Sequence, residues 1–317
     1  MSDLVTFGET MLRLSSAPGD RLETTHSLDL RVGGAESNVA VTAQRLGLEA
    51  TWLSALPDSP LGRRVVTALR QHGVSVDVVW DKNRRQGLYF TEPGGSPRGT
   101  DVIYDREDAA VTRVTANDLD LNRIRDATVF YTSGITPALS ETLRETTQEL
   151  LETAHAAGTT TAFDCNYRSK LWSPAEARET ITDLLALVDV LIVAKRDAKT
   201  VLDMDGDAEA IAQELHDSFD FETVVVTRGE QGALARANGE TVTQSAYDAD
   251  THDPIGTGDA FVGGLLTRLV EGGPLADALA FGAAAAALKR TIAGDLATIR
   301  REEVQRVIES GSTDIAR

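Results

Sequence analysis

Residues 253–266 read DPIGTGDAFVGGLL. Gly256, Thr257 and Gly258 stand before an acid, Asp259, and an apolar run with Gly263 and Gly264 follows. The pattern predicts a tight turn opening a buried helix over 258–272. The first backbone N–H groups of a helix lack carbonyl partners within it, and the helix dipole leaves that end positive. Small residues there let an anion come close, because no Cβ blocks the approach. Gly256, Thr257 and Gly258 are thus candidates to hold negative charge, with Asp259 in reach of the same point. A carboxylate so placed is a candidate general base for an alcohol. The same residues admit a plainer reading, in which Asp259 caps the helix and the glycines merely turn the chain. On this stretch alone the two readings stand level. A dinucleotide fingerprint is excluded, because no third glycine falls at the required offset. The sequence contains no Gly-Lys pair, which excludes a P-loop.

Outward from this turn, short β-rich runs alternate with helical patterns. Strands are predicted at 4–8, 50–56, 127–134, 159–166, 189–194, 223–229 and 232–238. Helices are predicted at 37–47, 61–73, 141–158, 176–188, 258–272 and 274–290, several ending on a glycine. This alternation predicts an α/β fold with a mostly parallel sheet, whose ligands sit beyond the carboxyl ends of the strands. Two segments, about 11–32 and 86–106, read instead as strands with polar turns and no helix after them. They are expected to form a small inserted β-sheet that closes over substrate. The whole chain, 1–317, is expected to be one domain with this lid inserted, its last residues, 309–317, fraying.

Composition limits the partners. The net charge is −18, and only five of the 31 basic residues are lysine. An acidic surface repels nucleic acid and anionic membranes, so neither is expected as a partner. Lysine-poor, acid-rich usage with ordinary globular patterning points to work at high salt, where self-repulsion is screened. No run approaches the roughly 20 apolar residues of a membrane span, and no leader is read at the N-terminus. A cytoplasmic protein is expected. The single cysteine, Cys165, excludes an internal disulfide and a cysteine-rich zinc site. It is expected to be a small buried strand residue.

A second glycine site decides between the two readings of Asp259. Residues 33–47 read GGAESNVAVTAQRLG. Gly33 and Gly34 admit a ligand close to the backbone, and Asn38 falls in the first turns of the helix that follows. Together the two stretches resemble the paired signatures of the ribokinase-like carbohydrate kinases, the PfkB family. The resemblance spans essentially the whole chain. It implies a three-layer α/β/α sandwich with the small β-sheet as lid, and transfer of a phosphoryl group from ATP to a sugar hydroxyl. By position Asp259 would be the base and Gly256–Gly258 the anion hole. TRGEQG (227–232) resembles the family's nucleotide loop, with Thr227, Arg228, Gly229 and Gly232 as the nucleotide contacts and Arg228 where the family usually has lysine. Asn166 would lie near the phosphates. The family's Asn-x-x-Glu motif, which helps place magnesium, departs here: AKRD (194–197) keeps only Asp197. Magnesium is expected all the same, held through phosphates and water. Many members carry a monovalent-cation site by this loop, so potassium is a further implied cofactor, with Asp253 a candidate contributor. His252 is a lone loop histidine near the expected nucleotide.

GLYFTE (87–92), VIYDRE (102–107), SGITPALS (133–140) and DCNYRSKLWSPAEAR (164–178) resemble 2-keto-3-deoxygluconate kinases more than fructokinases or ribokinases. The implied acceptor carries a carboxylate, which arginine binds bidentately. Arg106 and Arg168 are the implied carboxylate contacts. Tyr89 and Tyr104 would add phenolic hydroxyls, with Gly34 and Asn38 at the floor. The implied product is the 6-phosphate, in an Entner–Doudoroff-type pathway, and the galactonate epimer is a second acceptor. Each residue has a plainer role: the tyrosines can pack the lid sheet, and the arginines can form surface ion pairs. Rival functions are a kinase of the same fold acting on fructose, ribose or a nucleoside, and a non-catalytic sugar-binding regulator. A homo-oligomer is expected, because a small sheet exposes pairing edges.

Overall fold

Residues 190–194, VLIVA, show why the central sheet is covered on both sides. Successive strand residues face opposite ways, and here Val190 and Ile192 join one buried cluster while Leu191 and Val193 join another. The structure, a computed structural model, describes residues 2–310. Most of the terminal segment expected to fray, 311–317, lies outside the described residues.

In chain order the strands are β1 (Leu4–Phe7), β2 (Met11–Ser15), β3 (Asp29–Gly33), β4 (Ala50–Pro57), β5 (Ser75–Asp81), β6 (Leu88–Glu92), β7 (Asp101–Asp105), β8 (Val129–Ser133), β9 (Thr160–Asp164), β10 (Val190–Ala194), β11 (Thr223–Thr227), β12 (Ala233–Ala237) and β13 (Glu240–Gln244). The helices are α1 (Ala35–Leu46), α2 (Pro60–Arg70), α3 (Leu121–Arg125), α4 (Glu141–Ala157), α5 (Pro174–Leu185), α6 (Lys195–Val201), α7 (Ala208–Ser218), α8 (Thr257–Val270), α9 (Leu275–Arg290) and α10 (Arg301–Ser310).

Nine strands form the large sheet in the order β13-β12-β11-β10-β9-β8-β1-β4-β5. It is parallel from β11 to β5, and β12 and β13 extend it antiparallel. Side chains of α4, α5 and α7 pack on one face, and those of α1, α8 and α9 on the other. This is the three-layer α/β/α sandwich. The apolar strands give each face a dry contact, as buried parallel sheets require.

The predicted second sheet is present, with strand order β3-β2-β6-β7. Leu12 and Val32 of this sheet pack with Trp52, Leu56 and α2 residues Val65 and Leu69. One expectation fails. β3 runs directly into α1, with Gly34 as N-cap, so the first lid segment does feed a helix. Among the described residues no helix is long and apolar enough to cross a membrane. Cys165 is fully buried, as expected. Pro174 opens α5 behind a Ser173–Glu176 capping box, and Trp172 is buried just before it.

Candidate active site

The carboxyl ends of β9, β10 and β11, the small sheet, and the start of α8 enclose a cleft of about 830 Å³. Ligands of open α/β sheets collect at such ends. Helix α8 begins at Thr257 behind Gly256, which sits in the left-handed region at φ 83°. A Cβ on Gly256 would stand 2.2 Å from the Asp295 carbonyl oxygen, so both its conformation and its neighbour require glycine. Gly258 differs. A Cβ there would meet nothing within 4 Å, and the open space is the cleft. No side chain caps α8. The Thr257 N–H donates to the Pro254 carbonyl at 3.3 Å, and the Gly258 N–H, beside the open space, is left to meet an anion.

Asp259 lies in the first turn of α8 and does not cap it. Its Oδ2 accepts a 2.6 Å hydrogen bond from Asn38 Nδ2. Asn38 Oδ1 in turn accepts from the Gly34 N–H at 3.3 Å, fixing which way the amide points. The start of α1 thereby orients the carboxylate. Burial pushes the Asp259 pKa up to about 6, against the Asn38 hydrogen bond and the charge of Arg168. A carboxylate titrating there is ionised near neutrality and more basic than an exposed one.

Three further carboxylates lie nearby, two of which sequence reasoning missed. Asp164 ends β9 and lines the cleft; burial, then the charge of Asp259, raises its pKa to about 7. Glu36, in α1, accepts from the Ser133 and Thr136 hydroxyls at 2.6 and 2.9 Å, and burial raises its pKa to about 7. Asp197 is 4% exposed, accepts from the Tyr167 N–H at 3.3 Å and pairs with Arg196 at 3.2 Å. Burial raises its pKa too. Arg168 is the cation common to Asp259, Asp164 and Asp197, joined by Lys289 at the first and outweighed by Arg196 at the last. Its guanidinium donates to the Tyr167 carbonyl at 3.2 Å, and among the described residues it makes no ion pair.

Gly33, Gly34, Tyr89, Tyr104 and Arg106 also line the cleft. Arg106 pairs with buried Glu9 and lies 5.4 Å from the Tyr104 ring centre. Its Nε and the Glu9 Oε1 are buried without partners. Tyr89 departs from its expected use: its hydroxyl donates to the Asp295 carboxylate, and the residue is 4% exposed. Asp295 also pairs with Arg13 at 2.8 Å, and Arg13 pairs with Asp253 at 2.8 Å. Tyr89 therefore belongs to a buried network that joins β2 and β6 of the small sheet to the loops before α8 and after α9. Gly33 makes room for that network, since a Cβ would stand 2.1 Å from Asp295 Oδ2. Asn38, read from sequence as a sugar contact, lines the cleft but gives its short bond to Asp259.

At the other end, Asn166, Thr227, Gly229 and Gly232 line the cleft with Tyr247, Ala283, Ala287 and Arg290. Asn166 takes φ 39°, a left-handed turn after β9. Arg228 is a correction. It is not among the lining residues, because its guanidinium folds back onto the carbonyls of Gln231 at 2.9 Å and Ala233 at 3.4 Å. His252 is exposed and outside the lining. The missed residues Glu9, Glu36, Asp164 and Asp295 carry no glycine-like signature, and their partners lie far away in sequence.

The model of the pfkB family of carbohydrate kinases matches residues 1–300. The chain belongs to that family. A 2-dehydro-3-deoxygalactonokinase from Haloferax volcanii is 61% identical over 316 residues, covering 100% of this chain and 99% of its own. A 2-dehydro-3-deoxygluconokinase from Thermoproteus tenax is 30% identical over 303 residues, covering 93% of this chain and 90% of its own. The crystal structure of a 2-dehydro-3-deoxygluconokinase from Thermotoga maritima superposes with a TM-score of 0.91 at 35% identity, over 98% of this chain and 100% of that one. The acid-rich composition of this kinase is in keeping with its likeness to the Haloferax protein.

Proposed function

We propose that the chain transfers the γ-phosphoryl group of ATP to the 6-hydroxyl of a 2-dehydro-3-deoxy sugar acid. The galactonate epimer is the better acceptor, and 2-keto-3-deoxygluconate is also used. Arg168 is the observation that carries the sugar-acid part. It is a guanidinium inside an acid-lined cleft that makes no ion pair among the described residues. A substrate carboxylate supplies the partner that this geometry leaves open, and the planar fork suits it. Arg106, with its spare Nε, adds a second donor. The galactonate preference rests on the 61% identity to the Haloferax enzyme, against 30% and 35% for the two gluconokinases.

In this reading the acceptor oxygen attacks phosphorus while its proton passes to Asp259. The bond to the departing ADP oxygen breaks in line. The N–H groups of Gly256 and Gly258 meet the charge on the transferred group, while that of Thr257 holds the turn through the Pro254 carbonyl. Asn38 keeps the Asp259 carboxylate aimed. The nucleotide lies along Asn166, Thr227, Gly229 and Gly232, against the small side chains Ala283 and Ala287 of α9. Magnesium, bound with the nucleotide, supplies neutralisation of phosphate charge. Asp197 and Asp164 fit it, as carboxylates whose burial makes a nearby cation welcome. In this reading the cation would be held mainly through phosphates and water. Ile103, 51% exposed on edge strand β7, supports pairing of two copies along the lid.

The test is ADP release with ATP and magnesium in molar KCl against 2-keto-3-deoxygalactonate, 2-keto-3-deoxygluconate, fructose, ribose and adenosine. Turnover confined to the two acids is expected. Preference for a neutral sugar would keep the kinase and remove the roles given to Arg106 and Arg168.

A further inference from the structure

Lys289, near the end of α9, is 0% exposed. Lysine is almost never fully buried unless its ammonium is partnered. Its Nζ donates to the Asp253 carbonyl at 3.2 Å and to the Ile292 carbonyl at 3.1 Å. These oxygens belong to the two loops that bracket the anion site: residues 253–256 lead into α8, and residues 291–295 pack under Gly256. Two inward-facing carbonyls beside two buried carboxylates are a setting for a cation. The ammonium already fills it.

The potassium ion implied by the family resemblance does not fit here. The Asp253 carboxylate is used on both oxygens: Oδ1 accepts from the Ile255 N–H at 3.1 Å, and Oδ2 accepts from the Gly294 N–H at 2.9 Å and pairs with Arg13. Its carbonyl is taken by Lys289. The charges balance as well, with Asp253 and Asp295 set against Arg13 and Lys289. A third cation would lie unopposed in a buried place, which is costly.

We propose that the Lys289 ammonium is the resident cation of the anion-site loop, so that phosphoryl transfer by this chain needs no potassium. This rests on the kinase reading above. Lys289 is a positioning residue. It ties the Asp253 carbonyl to the Ile292 carbonyl and so fixes the turn from which the Gly256 and Gly258 N–H groups point. Without a cation the two carbonyls repel and the turn loosens.

The experiment compares ADP release by the unmodified protein in NaCl, KCl and tetramethylammonium chloride at one ionic strength, with near-ultraviolet circular dichroism following the fold. Equal kcat within about twofold in sodium and potassium is expected, since a site already filled gains nothing from a second ion. Potassium activation of about tenfold or more, a value typical of a catalytic electrostatic contact, would overturn the proposal. Lys289→Ala gives the converse arm. Its kcat is expected to fall about 10- to 100-fold in tetramethylammonium chloride and to recover with potassium or ammonium chloride. A folded variant that keeps full kcat in every salt, or that no ion restores, would also overturn it. If the variant does not fold, the salt comparison on the unmodified protein decides alone. Absence of turnover in every salt removes the kinase reading and this one with it, whereas turnover that requires potassium removes only this one.

Discussion

Asn38→Leu separates orientation of the base from contact with the sugar. Leucine keeps the branched skeleton of asparagine, with bulkier methyl groups in place of the amide, and cannot donate to Asp259. The lost bond is short, 2.6 Å, and ends on a carboxylate. Hydrogen bonds to charged groups contribute about 1.5–3 kcal/mol, which at about 1.4 kcal/mol per pKa unit is roughly one to two units. The bond favours the ionised form, so its loss raises the pKa. The acid limb of the kcat/KM profile for the sugar acid, expected near 6 from Asp259, should move to about 7–8 in the variant. At pH 6 its kcat/KM should then lie about 5- to 50-fold below that of the unmodified protein, and by pH 9 the gap should close to a few fold. The assay is ADP release from pH 5 to 9 over a range of sugar-acid concentrations, giving kcat/KM and KM at each pH. An unmoved acid limb, with a raised KM for the sugar acid and an equal loss at every pH, would refute this reasoning. Asn38 would then be the sugar contact that its position in the sequence suggested.

Arg168→Ala should raise the KM for the sugar acid about 10- to 100-fold, the effect of losing a charge-assisted pair in a water-poor site. The KM for ATP should stay within a few fold, and steady-state kinetics on both substrates checks it. Gly256→Ala and Gly258→Ala should part company. The first meets the Asp295 backbone at a φ of 83° and should lose about 1–3 kcal/mol of stability in urea unfolding. The second meets no protein atom and should unfold within about 0.5 kcal/mol of the unmodified chain, yet lose kcat because its methyl enters the space of the phosphoryl group. Glu36 and Asp164 bind protons more tightly folded than unfolded, since burial lifts both to about 7. Between their unfolded values and pH 7 the native state therefore holds more protons, and stability should fall as pH rises through that window. The Tm at pH 6 should exceed that at pH 8 while turnover runs the other way; a Tm that rises with pH would contradict the burial of these groups.

The glycine turns were legible because their chemistry is local. Gly256 and Gly34 announce a close approach by residue type alone, and the neighbours they meet are backbone carbonyls, of Asp295 and Glu9, that no local pattern names. The βα rhythm was legible for the same reason, since β10 and β11 are apolar on both faces. Elements with less contrast passed unread: edge strand β5 is only half-buried along most of its length, and α7 follows a stretch dense in aspartate. The side chains that hold the site were beyond reach for a different reason. Asn38 meets Asp259 across 221 residues, and Arg13 meets Asp295 across 282. No spacing rule links such pairs. Tyr89 and Arg228 were given to ligands because their residue types suit ligands, yet Tyr89 serves the buried network and Arg228 its own loop.

The buried network from Arg13 to Asp295 also sets an order in time. A ribosome adds roughly 5–20 residues per second, so the lid strand bearing Arg13 waits about 15 to 60 seconds for the carboxylate that will hold it. Through that interval its guanidinium belongs in water. The Arg13–Asp295 contact can close only after α9 and the loop behind it have been synthesised. Catalytic competence should therefore arrive all at once, at the close of translation. A nascent chain halted before Asp295 should show a stalled lid, readable as protease cutting between residues 11 and 33 that ends when the full chain is released.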